Sequence, residues 1–128
     1  MTLDRASMPA PRPLTPRERD VLARMVRDGD RDEAVPHDQD AADRRRWLTQ
    51  VDGVRVHGTC GCGTCPTIDL GDATGPTTAE GPRVVLSAGV DHALVLLFVD
   101  GDRLSRLELA PLDETVFPEF PPAVDLRP

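Results

Sequence analysis

The stretch Ala93-Leu-Val-Leu-Leu-Phe-Val-Asp100 constrains the fold more than any other part of the chain. It is apolar at odd and even positions alike, so as a strand it presents a hydrophobic surface on both faces, and it is far too short to span a bilayer. A strand of that kind needs a partner along each edge and a cover over each face. The edges are supplied by its neighbours: residues 83–88 are strongly β-like, and Asp100-Gly101-Asp102 is a tight-turn signal leading into a third strand over residues 104–109. One face calls for helices, and the other for a second cover from elsewhere in the chain.

Helices precede the strands. Thr15-Pro-Arg-Glu18 carries a capping residue, a proline suited to the first helical position and the acid that closes a capping box. Val21, Leu22, Met25 and Val26 then form a single apolar stripe that faces the sheet, and Gly29 ends the helix. After an acidic linker, a second helix is predicted from Asp38 or Asp40, with Ala41, Arg44, Trp47, Leu48 and Val51 at spacings of three and four, stopping before Gly53. Residues 54–57 and 67–70 alternate as two further strands, forming a hairpin whose tip is a cysteine-bearing loop. Residues 71–82 are turn formers without a period.

The predicted fold is therefore α+β, with two N-terminal helices packed on a mostly antiparallel five-strand meander. Residues 1–13 read as a disordered arm, 14–122 as one domain and 123–128 as a tail. The segment Phe117-Pro-Glu-Phe120-Pro-Pro cannot be helix or inner strand, but its phenylalanines can dock in extended form over Leu96 or Phe98 and supply the missing cover.

Charge and composition narrow the function. All fifteen basic residues are arginine and Ile68 is the sole isoleucine, the mark of a GC-rich genome. The net charge of −7 repels phosphate backbones and anionic membranes, which argues against nucleic-acid and membrane partners and leaves a protein partner. Acid and proline near the start oppose a signal peptide, so a cytoplasmic location is expected. Arg44-Arg45-Arg46 follows Asp38, Asp40 and Asp43 by about one turn and reads as a self-compensated helix face.

The chemically pointed segment is His57-Gly-Thr-Cys60-Gly-Cys62-Gly-Thr-Cys65-Pro66. Three thiols packed into six positions do not form a secreted disulfide framework, in which even numbers of cysteines staple distant loops. Two readings compete. In the preferred one, the cysteines are small, reduced, metal-free side chains at a hairpin tip, with no cofactor and no catalytic residue, in a non-enzymatic accessory or interaction module. In the alternative, His57, Cys60, Cys62 and Cys65 close a tetrahedral site for zinc, with Asp69 as a substitute for His57. A thiol-redox role through Cys62-Gly-Thr-Cys65, or cysteine-nucleophile catalysis with His57, His92 and Asp69, stands behind both.

The cysteine loop continuing into Pro66-Thr-Ile-Asp-Leu70, the later Asp100-Gly-Asp-Arg-Leu-Ser-Arg-Leu-Glu-Leu109 and the Phe-Pro tail together resemble a group of small actinobacterial proteins over roughly residues 14–122. That resemblance implies the domain limits and a GC-rich source; it implies no activity. Residues 14–22 also resemble the opening of the helix-turn-helix domain of LuxR-type regulators, a match the capping box accounts for, since no recognition helix follows.

Overall fold

A computed structural model of the protein describes residues 10–62 and 65–128. Helix α1, Pro16–Asp28, begins as its sequence dictates. The Thr15 hydroxyl accepts from the Glu18 amide at 3.1 Å, and the Glu18 carboxylate accepts from the Thr15 amide at 2.8 Å. Burial alone would push the Glu18 carboxyl up, but the guanidinium of Arg12 and the Thr15 amide outweigh it and hold the group below the usual carboxylate range. Val21, Leu22, Met25 and Val26 are fully buried, and the helix packs on the strands of residues 83–90 and 93–100.

The sheet has eight strands: β1 (Arg12–Pro13), β2 (Asp30–Arg31), β3 (Arg55–Thr59), β4 (Ile68–Asp72), β5 (Gly75–Pro76), β6 (Arg83–Val90), β7 (Ala93–Asp100) and β8 (Arg103–Pro111). Five of these are the expected strands; the other three are two-residue segments, too short to carry a period of two. The order is β1-β3-β4-β8-β7-β6-β2, with β5 on β4, and every pair is antiparallel. It is not a simple meander. The chain leaves β4 for the far strand β6 and returns through β7 to set β8 beside β4. The β7–β8 turn places Gly101 at φ 53° and Asp102 at φ 68°, the two left-handed residues of a type I′ turn.

The register puts Leu86, Leu97 and Leu107 side by side, and with Val95, Leu109, Ile68, Leu70 and Val56 they form the inner face, in one core with α1 and Trp47. On the other face of β7, Leu94 is 39% exposed and Leu96 and Phe98 are half-buried. The C-terminal tail does not cover them. Phe120 is buried in the main core, its carbonyl accepts from Arg17 of α1 at 2.8 Å, and the 3-10 turn Ala123–Asp125 contacts the same helix. The expected docking over Leu96 or Phe98 is thus corrected: the tail is ordered, but along the helix. The outer face is met instead by charge, with the Arg83 guanidinium 4.9 Å from the Phe98 ring centre and Arg83 paired to buried Asp100 at 2.7 Å.

Ordered structure extends past the expected limits of 14 and 122. β1 pairs Arg12 with Val56, and near the other end Leu126 is buried and Arg127 bridges Gly89 through two backbone hydrogen bonds. Residues 1–9 of the expected arm lie outside the described residues. Within the unperiodic segment 71–82, β5 folds back on β4 so tightly that a Cβ at Gly71 would lie 2.2 Å from the Gly75 carbonyl, so only glycine fits there.

Helix α2, His37–Leu48, ends earlier than expected and is followed by a separate 3-10 turn, Val51–Gly53. It packs on α1 and is tied to the β7–β8 turn. The Trp47 indole N–H donates to Asp102 at 2.8 Å, Arg46 donates to both Asp102 oxygens, and the Gln50 amide spans Asp102 and Leu104. Asp40 pairs with Arg44, and Asp43 with Arg46.

Candidate metal centre

The β3–β4 hairpin positions the cysteines. Thr59 pairs with Ile68, and one step further the Cys60 amide donates to the Thr67 carbonyl at 3.2 Å, so the backbone ladder closes the base of the loop without help from the sulfurs. Thr67 is buried and anchors the loop to β8: its hydroxyl oxygen accepts from the Leu109 amide at 3.1 Å and lies 3.5 Å from the Cys65 sulfur. Gly61, at φ 76°, supplies the left-handed backbone that bends Cys62 back towards its neighbours. Gly63 and Thr64, between Cys62 and Cys65, lie outside the described residues.

The result is a convergent set of sulfurs. The Sγ atoms of Cys60, Cys62 and Cys65 all lie within 4.8 Å of one another, and those of Cys62 and Cys65 are 3.3 Å apart. A disulfide requires about 2.05 Å, so the thiols are in contact but not bonded. A tetrahedral ion with sulfur at about 2.3 Å holds neighbouring sulfurs about 3.8 Å apart, so one ion fits the set after shifts of a fraction of an ångström to about one ångström. Cys60 and Cys62 are exposed and Cys65 is half-buried. Hydrogen bonding to the Cys62 and Cys65 sulfurs favours the protonated form of Cys60 and pushes its thiol up to about 11. Three thiols this close resist ionising together unless a cation replaces their protons.

The other expected ligands are engaged elsewhere. A bulge between Val56 and Gly58 leaves His57 without a register partner and turns its ring away from the tip; Nε2 lies 2.7 Å from the Asp72 carbonyl. The Asp69 carboxylate is paired with Arg106 at 3.0 Å. Among the described residues, the close group of metal-ligand side chains contains the three cysteines and neither His57 nor Asp69. The alternation of residues 54–57 concealed the bulge, and nothing in the sequence marked Thr67 as the anchor.

Cys65 is followed by the coil residues Pro66 and Thr67 and then by strand β4, not by a helix whose dipole would activate a thiolate. His92 faces the Asp113 carboxylate, with Nδ1 and the oxygen 2.6 Å apart, so the candidate bases and acid do not gather on a sulfur. No helix among the described residues is long and apolar enough to cross a membrane.

No protein-family profile, curated protein or solved structure matches this chain.

Proposed function

We propose that this protein is a metal-binding domain whose hairpin tip holds one thiophilic divalent ion, zinc by ligand chemistry, on the thiolates of Cys60, Cys62 and Cys65. The observation that carries this reading is the convergence of the three sulfurs within 4.8 Å. Soft thiolate sets select zinc and similar ions over hard cations such as magnesium and calcium. An apolar packing role for the cysteines, favoured by composition, fits poorly with two thiols exposed at a loop tip.

The test is titration of the fully reduced protein with zinc, read by native mass spectrometry. One ion per chain supports the reading, provided that it is lost when Cys62 and Cys65 are replaced by serine. No retained ion in the parent protein counts against it.

A second reading, a protein-interaction module, draws on the half-exposed Leu94 and Leu96 on the outer face of β7. Leu94→Glu, at an exposed position, is expected to keep the fold and to abolish an interaction made through that face.

A further inference from the structure

Among the described residues the metal reading supplies three ligands, Cys60, Cys62 and Cys65, and leaves a fourth coordination position to be filled. Both ligand-type side chains on the flanking strands are committed, His57 to the Asp72 carbonyl and Asp69 to Arg106. Two of the three sulfurs are exposed. Cys65 lines a groove whose other walls include Arg12, Arg17, Thr59, Thr67 and Phe120, which gives a molecule from solution a place beside the cluster. The base of the loop has anchors other than an ion, because backbone hydrogen bonds close the hairpin and Thr67 is fixed to β8. Closed four-ligand sites are structural, whereas a three-ligand site with an open position exchanges what it binds there.

We infer that the fourth ligand is a thiolate from outside the chain, so that the tip holds its ion in exchangeable form and passes it to or from a thiol-bearing molecule. This rests on the metal reading above. In the exchange step the incoming thiol releases its proton to solvent, its sulfur bonds to the ion in place of a solvent ligand, and no electron is transferred. Transfer is completed when further incoming sulfurs replace the three cysteines, each of which regains a proton. The shared chemistry is a soft sulfur donor; its source is either a small thiol or the cysteines of another polypeptide.

The test uses cobalt as a coloured substitute for zinc. Full-length reduced protein is loaded with Co2+, and the sulfur-to-cobalt charge-transfer band is recorded before and after addition of glutathione or, separately, of a short peptide carrying two cysteines. The band is expected to grow by roughly one third as three sulfurs become four. Growth with glutathione assigns the position to small thiols, whereas growth only with the peptide, followed by movement of cobalt to it, assigns it to a protein partner. A loaded protein whose band responds to neither addition overturns the inference while leaving the metal reading in place, and a changed spectrum in His57→Ala would then identify the internal ligand. Absence of any charge-transfer band removes the metal reading and this inference together.

Discussion

The Nε2 atom of His57 sits 2.7 Å from the Asp72 carbonyl, towards the base of the β3–β4 hairpin, while the three cysteine sulfurs gather at its tip. The histidine that sequence spacing offers as a fourth ligand is therefore used to tie β3 to the last residue of β4. His57→Ala should leave zinc affinity within about twofold of the parent, whereas Cys60→Ser, Cys62→Ser and Cys65→Ser should each weaken it at least about tenfold. Competition against a chromogenic chelator measures both. A His57→Ala loss as large as the cysteine losses would place the ring on the metal.

Metal affinity should rise with pH. The thiols must lose their protons to bind, and hydrogen bonding to its neighbours pushes Cys60 up to about 11, so protons compete with the ion throughout the physiological range. Between about pH 6 and 8 the apparent affinity should increase on the order of tenfold per unit for each proton displaced. Calorimetry in buffers of different ionisation enthalpy counts those protons. A flat profile would mean that the sulfurs are not the ligands.

The clamp between α2 and the β7–β8 turn has its own signature. Trp47 is buried with its indole N–H on Asp102, so Asp102→Ala leaves a buried donor unpaired and should cost about 1–3 kcal/mol in urea unfolding. Asp102→Asn, which can still accept the bond, should cost less. The bonds from Arg46 lower the Asp102 carboxyl, joined by that from Trp47 and opposed by burial. Its folded value lies below its unfolded one, so this contribution is complete above about pH 4 and is lost as the pH falls through the folded value. Unfolding free energies of the parent and Asp102→Asn should therefore converge in acid, while Asp102→Ala stays below both because its Trp47 donor remains unpaired.

Phe120 ties the tail to the core along α1. Phe120→Ala should destabilise the protein by about 3–5 kcal/mol through lost burial and a cavity. Truncation after residue 115 should lower the melting temperature at least as far. An unchanged melting temperature would show that the tail is dispensable.

The elements with a strong local signal were legible. Thr15, Pro16 and Glu18 specify the start of α1 through bonds made within four residues, and the apolar alternation of β6 to β8 survives because each strand is long enough to show it. What could not be read depends on long-range partners. The paired segments Arg12–Pro13 and Asp30–Arg31 are strands only because β3 and β6 offer them an edge. Phe120 chooses the helix side because Arg17, more than a hundred residues earlier, holds its carbonyl. At the site, the convergence of the three cysteines followed from close spacing and glycines, but the fate of His57 turned on a bulge that adds one residue to an otherwise regular strand.

The claim that three thiolates share one ion is tested most directly by the metal content of protein purified without a histidine tag, together with thiol titration before and after a chelator is added. The account predicts one zinc ion per chain, with Cys60, Cys62 and Cys65 shielded from the thiol reagent until the chelator removes it. Three freely titrating thiols in a metal-free protein that also fails to take up added zinc would contradict it.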